Sequence, residues 1–247
     1  MSWTSKSMKL AATALALGAA GAAAAGTIVV RAVGPSARDF PPGKAVAGTR
    51  VSLRAGDSLV LLDGKGTRTL SGPGTFVLGA ATSISAPPSA LGALLRNTGT
   101  RQVRTGAVRG AGSGEAKSPN LWYVDATRSG AVCLGSTAGA TIWRPDMTQP
   151  TTLTLKRASD GRTVPLSFAA GQSVRPWPVA DMPIAAGSEY WLSGPGWARP
   201  TSVRVETIAA DNAQLDGLGA ALIAKGCTGQ LDLLVDTATT ASRAGAG

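Results

Sequence analysis

Alternating apolar and polar positions dominate the middle of the chain. Val51 and Leu53 alternate with Ser52 and Arg54, and the run 58–62 (SLVLL) leads into Asp63-Gly64-Lys65-Gly66 and a second strand-like run at 67–70. A period-two pattern broken by a short Gly-containing turn signals a β-hairpin, because alternate side chains on a strand share a face. Ser71-Gly72-Pro73-Gly74 stops this hairpin, and 75–78 resumes as a strand. The clearest hairpin comes later, where 152–156 and 162–168 flank Asp160-Gly161. Leu153 and Leu155 share one face of its first strand, and Val164, Leu166 and Phe168 share one face of its second. Further short strands are expected at 121–124, 131–134, 141–143, 188–192 and 202–205. Short strands with frequent turns favour a β-sandwich or barrel.

Two stretches carry a helical period instead. Pro87 and Pro88 start a short one, with Leu91, Leu94 and Leu95 in register and Gly99 beyond its end. Near the C-terminus, Ile208, Leu215, Leu218, Leu222 and Ile223 form an apolar stripe ending at Gly226, and Leu231, Leu234 and Val235 mark a second short helix. The stretch 105–119 (TGAVRGAGSGEAKSP) has no periodicity and reads as a linker. The expected fold is all-β, with two small sandwich-like β modules at 27–104 and 120–207 joined by this linker. A helical hairpin at 208–237 packs on the second module, and 238–247 is a disordered tail.

The first 26 residues read as a signal peptide. Lys6 and Lys9 precede an uncharged stretch of Ala and Gly that closes with Ala22-Ala23-Ala24-Ala25-Gly26, which offers several A-x-A cleavage sites. The mature N-terminus is expected between Ala23 and Thr27. The alternative is an uncleaved N-terminal helix that anchors the protein, since the uncharged stretch just reaches bilayer length. Either way the protein is exported, to the periplasm or beyond. An oxidising compartment favours pairing of the only two cysteines, Cys133 and Cys227, in a disulfide.

The stretch 51–78 carries Arg54-Ala55-Gly56-Asp57 before an apolar run, then Gly66-Thr67-Arg68-Thr69-Leu70, then Gly72-Pro73-Gly74-Thr75-Phe76. In these features it resembles the FecR-type periplasmic domain. The resemblance implies a β-rich extracytoplasmic module used in sensing or regulation rather than catalysis. Only about nine residues precede the apolar leader, too few for the cytoplasmic segment through which FecR proteins reach a sigma factor. The part from Asn120 onward shows no such resemblance.

Composition narrows the chemistry. The 247 residues include no His, which removes His general bases, His-dependent triads and His metal ligands. Two Cys cannot make a Cys-only zinc site, and no DxDxDG calcium loop occurs. No metal site and no cofactor is implied. Leu-Ser-Gly-Pro-Gly occurs twice, at 70–74 and 192–196, but neither copy continues as a Walker motif. Both read as strand-ending turns. Asp57 and Asp63 flank the run 58–62 and read as turn residues; Asp181, Glu189 and Glu206 stand apart. Catalytic residues are therefore not assigned, and a carboxylate-dependent envelope hydrolase is the lesser alternative. The formal charge is +10, or +8 without Lys6 and Lys9. The basic residues are scattered, so this reads as a solvated surface before it reads as a site.

Aromatic residues are the most uneven feature. Beyond Trp3 in the leader, all tryptophans (Trp122, Trp143, Trp177, Trp191 and Trp197) and both tyrosines (Tyr123 and Tyr190) fall after residue 120. Neighbouring strand residues point to opposite faces, so Trp122 and Tyr123, like Tyr190 and Trp191, are expected to part. Trp177 sits in Arg175-Pro176-Trp177-Pro178, and Trp197 follows Gly194-Pro195-Gly196. These loop tryptophans, with Arg144, Arg175 and Arg199, are the candidate binding residues, since Trp and Arg are favoured at interfaces. The expected function is a non-catalytic exported envelope protein, a FecR-like sensing, scaffold or accessory module that binds a protein partner through these loops. A cell-wall glycan or other anionic surface is the alternative ligand, and nucleic acid is not expected.

Overall fold

The computed structural model describes residues 26–79, 92, 94, 116–209 and 214–244, with side chains of the last helix described to 239. The leader, most of the 87–95 helix and most of the 105–119 linker lie outside the described residues. Gly92 and Leu94 are helical, and Leu94 is buried with its carbonyl accepting the Leu121 N–H. The described chain is mostly strands in several sheets, with two α-helices.

The N-terminal part pairs β1 (Ile28–Val33), β3 (Ser58–Asp63) and β4 (Gly66–Ser71) in one antiparallel sheet, with β3 in the middle. A ribbon of β2 (Arg50–Leu53) and β5 (Gly74–Val77) lies against it. Leu59 and Leu61 of β3 join Val29, Val51 and Leu53 in one core, whereas Val60 and Leu62 join Ile28 and Val30 in another. Both faces of β3 are thus covered, which is why its sequence is a continuous apolar run. β1 is not expected from the sequence because the uncharged stretch from Leu10 runs into it without a charged residue.

The C-terminal part builds a five-stranded sheet in the order β10 (Thr163–Phe168), β9 (Thr151–Arg157), β12 (Glu189–Ser193), β13 (Thr201–Thr207), β7 (Gly130–Leu134). A three-stranded sheet runs β11 (Val174–Pro176), β8 (Thr141–Trp143), β6 (Tyr123–Asp125). The two sheets enclose one apolar cluster, with Leu153, Leu155, Leu166, Phe168, Leu192 and Val203 from the first and Val124 and Ile142 from the second. The β9–β10 hairpin has the expected inward residues, and Gly161 takes the positive φ of its turn at 71°. Two pairings are parallel, β13 with β7 and β6 with β8. No local pattern announces these, because parallel strands are joined through a crossover and leave no hairpin signal.

The helices are α1 (Leu215–Ala224) and α2 (Thr228–Ala244). Ile208, expected as the first residue of the helical stripe, instead follows β13 and donates its N–H to the Leu134 carbonyl. Gly226 ends α1 at φ 71°, with its N–H on the Ile223 carbonyl and the Cys227 N–H on the Leu222 carbonyl. That is a Schellman ending, in which glycine supplies the left-handed residue. It delivers Cys227 to Cys133, and the pair forms a disulfide with Cα atoms 5.9 Å apart. The tail expected from 238 onward is instead the continuation of α2 to Ala244. Ala238 is buried there, and the Thr237 and Thr239 hydroxyls donate to the Leu233 and Val235 carbonyls.

The helical stripe does not rest on residues 120–207 alone. α1 lies on β1 and β3, and α2 lies on β4 and β7. Leu215, Leu218, Leu222, Leu231 and Leu234 share a core with Ile28, Val30 and Leu62 from one side and Leu121, Trp122 and Cys133 from the other. Gly219 makes the approach possible, since a Cβ there would stand 2.6 Å from Leu62 Cδ2. Among the described residues no helix is long and apolar enough to cross a membrane.

Candidate functional site

Trp197 is placed by a turn that its neighbours dictate. The Trp197 N–H donates to the Gly194 carbonyl at 3.2 Å, Pro195 is the second residue and Gly196 the third, at φ 76°. Pro then Gly at these positions is what a type II turn requires. Gly194 is needed for a separate reason: a Cβ on it would lie 2.7 Å from Leu153 Cδ2 and 3.1 Å from the Trp197 ring. The half-buried indole therefore lies against the backbone that turns it. The earlier copy of the same five residues is built differently, with a cis Gly72–Pro73 bond and Gly72 pressed onto the Arg54 carbonyl. The two copies do not mark a structural repeat.

Arg144 follows β8 and is 5% exposed. Its Nε donates to the Gln172 carbonyl at 3.0 Å, and Nη2 donates to the Gln149 and Ala169 carbonyls at 3.0 and 3.1 Å. The guanidinium also lies over the Phe168 ring, 5.1 Å from its centre, in cation–π range. Its hydrogen bonds thus go to main-chain carbonyls of the surrounding loops, and it fixes their shape.

These two residues line one cleft of about 740 Å³, with Asp146, Gln149, Phe168 and Pro195. The cleft opens among loops at one end of the β layers, those between β6 and β7, β8 and β9, and β12 and β13. Asp146 is exposed at its rim and accepts from the Thr148 hydroxyl and N–H at 2.7 and 2.9 Å. The Thr148 hydroxyl is the main reason its carboxyl sits below the usual value, with the Arg144 charge a smaller one. The walls combine an aromatic face, a buried cation and an ionised carboxylate. That suits a ligand with an apolar anchor and a polar edge.

No protein-family model matches the chain, and no curated protein or solved structure matches it either.

The other expected binding residues fall elsewhere. Trp177, expected on a binding loop, is instead 3% exposed and belongs to the core. Its indole N–H donates to the Met182 carbonyl at 2.8 Å, and its ring meets Tyr190 edge-on at 4.9 Å. The indole is thus packed in the core and not displayed on a loop. Arg144, expected as a surface contact, is buried as described. Arg175 is half-buried in β11 and Arg199 is exposed on the β12–β13 loop, and neither lines the cleft. Of the five expected residues, the fold brings Trp197 and Arg144 together.

The expected parting holds for Tyr190 and Trp191 on β12, whereas Trp122 lies in the turn before β6 and is outside the strand alternation. Tyr190 is fully buried, its hydroxyl donating to the Pro183 carbonyl, whereas Trp191 is 37% exposed. Trp191 was not singled out by the sequence. Its indole N–H donates to Glu189 Oε1 at 2.8 Å, and Lys156 Nζ sits 5.2 Å from its ring centre. Strand alternation beside a core Tyr is the signal that marks it. The carboxylates that suggested acid–base chemistry are engaged in turns. Asp57 accepts from the Ser36 and Arg54 N–H groups at 2.9 and 2.6 Å, and Asp63 from the Lys65 N–H at 2.8 Å. Among the described residues, no three His, Cys, Asp or Glu side chains converge on a metal-sized site.

Proposed function

We propose that the protein is a non-catalytic exported envelope protein, a sensing, scaffold or accessory module that binds a protein partner through the cleft holding Trp197. The observation that carries this reading is the cleft itself, with an indole anchored on Gly194 and a buried Arg144 organising the loops around it. A half-buried aromatic in a concave, loop-built end suits an anchor residue of a partner. Export is supported by the Ala-rich leader and by the Cys133–Cys227 disulfide, which fits an oxidising compartment. The periplasm or the exterior is the expected location. The FecR-like reading is supported by residues 51–78 folding as four short strands, β2 to β5. On the same reading the C-terminal strands are a β-sandwich and α1 and α2 a helical hairpin.

A second reading follows from Trp191. An exposed indole on a polar sheet face, between Lys156 and Glu189, suits the flat face of a sugar ring. It would make the ligand a cell-wall glycan.

The test is crosslinking in cells followed by recovery of the tagged protein and mass spectrometry. A stoichiometric envelope protein, lost on Trp197→Ala and kept on Trp191→Ala, is the expected result. Glycan capture lost on Trp191→Ala would favour the second reading. Activity lost without unfolding on changing Asp57, Asp63, Asp181 or Glu189 would point to a hydrolase instead.

A further inference from the structure

The leader and the fold meet at Gly26. Its nitrogen donates to Asp216 Oδ2 at 2.6 Å. Asp216 is 5% exposed and stands in the first turn of α1. Its other oxygen, Oδ1, is buried and has no hydrogen-bond partner among the described residues. A second buried acceptor in the same condition, Gln214 Oε1, is two residues earlier. It lies 3.5 Å from where a Cβ on Gly64 would sit. The β1–β3 register puts Ile28 opposite Leu62 at this end of the sheet. The carboxylate that meets the Gly26 nitrogen thus has one oxygen short of a donor. None of the ion pairs among the described residues includes Asp216. A buried carboxylate with one neutral donor is costly, and a cation with several donors is what such a place accepts.

We infer that export processing cuts between Ala25 and Gly26, and that the new α-ammonium of Gly26 is the missing partner of Asp216. This rests on the export reading above. Ala23 and Ala25 supply the small residues that a signal peptidase requires on the acyl side of the bond. The Ala25–Gly26 amide breaks, water adds its hydroxyl to the Ala25 carbonyl carbon and a hydrogen to the Gly26 nitrogen. The resulting acid passes its proton to the amine at neutral pH. The nitrogen then carries three protons where the amide carried one. One keeps the bond to Asp216 Oδ2, and a second is free for Asp216 Oδ1. A cut one residue earlier leaves an amide at Gly26, and a cut one residue later removes that nitrogen. Processing therefore locks α1 to the first strand of the mature protein.

Two measurements test this. N-terminal sequencing and intact mass of the envelope protein are expected to give a start at Gly26. A start at Ala23, Ala24, Ala25 or Thr27 overturns the inference and leaves export standing. A start at Met1 or Ser2 overturns cleavage itself, and the inference with it. Separately, the purified chain beginning at Gly26 is unfolded with its amine free or acetylated. Acetylation is expected to raise the unfolding equilibrium constant at least about tenfold, and to do nothing in Asp216→Asn. Equal stability of the free and acetylated wild-type chains overturns the ion pair. If Asp216→Asn does not fold, the wild-type amine decides. It is expected to react with an acylating reagent at least about tenfold more slowly than in the denatured chain, and equal rates overturn the proposal.

Discussion

Asp57 lies at the start of β3, 4% exposed, and holds the turn before it to the segment after β1. The Ser36 N–H is the main group that lowers its carboxyl below the ordinary 3.8, with the Arg54 N–H adding to it. A lowered folded value means that the ionised form stabilises the native state. That contribution is complete above about pH 4 and is lost as pH falls through the lowered value. Asp57→Asn is therefore expected to lower the thermal midpoint at neutral pH and to flatten the acid limb of the stability profile. An unchanged acid limb would assign that limb to other carboxylates. Asp160, held down to about 2 chiefly by the Arg157 guanidinium, is one of them and titrates over a neighbouring range. At this scale the sequence was legible where a residue answers to its own neighbours. Asp beside Gly reads as a turn residue, and Asp57 and Asp63 are both in turns. It misled where burial decides, as with Trp177 and Arg144, whose surroundings come from neighbouring strands and loops that the local pattern does not place.

The junction of the two helices shows how an element is set by one backbone angle. Gly226 stands at φ 71° with open space where a Cβ would go, so a substitution there meets a backbone cost and no clash. Gly226→Ala is expected to cost about 1 kcal/mol in denaturant unfolding, and Gly226→Asn less, because Asn tolerates the left-handed region better. A loss of several kcal/mol in Ala would mean that the Cys227 bridge had been displaced as well. Hairpins at this scale were readable, since alternation and turn chemistry act over ten residues. The strand β1 was masked by the apolar leader beside it, and the length of α2 by its Thr- and Ala-rich end, which tertiary contacts with β4 support.

The molecule as a whole is held by its central core. That core takes residues from β1 and β3, from 121–134 and from both helices. The Cys133–Cys227 disulfide, 94 residues apart, and the buried Gln230 tie β7 to the helices at the same place. The Gln230 amide accepts the Cys133 N–H at 2.6 Å and donates to the Leu121 and Cys133 carbonyls at 2.6 and 2.7 Å. Reduction is expected to cost about 4–5 kcal/mol on chain-entropy grounds for so long a loop, measured by denaturation with and without reductant. Intact mass rises by two hydrogens in the same experiment. Two free thiols without reductant would remove the bridge and the stability argument together.

The sequence by itself determined most of the short strands, their inward residues, the turns at Asp63-Gly64 and Asp160-Gly161, the cysteine pair and the helix ending at Gly226. These follow from periods and backbone preferences that act between near neighbours. Only the tertiary structure decided the parallel pairings and the placement of the helices against the N-terminal sheet. It alone turned Trp177 inward and joined Trp197 to Arg144 in one cleft. Those outcomes depend on which apolar faces cover one another, and that is settled by packing between segments that are not sequence neighbours.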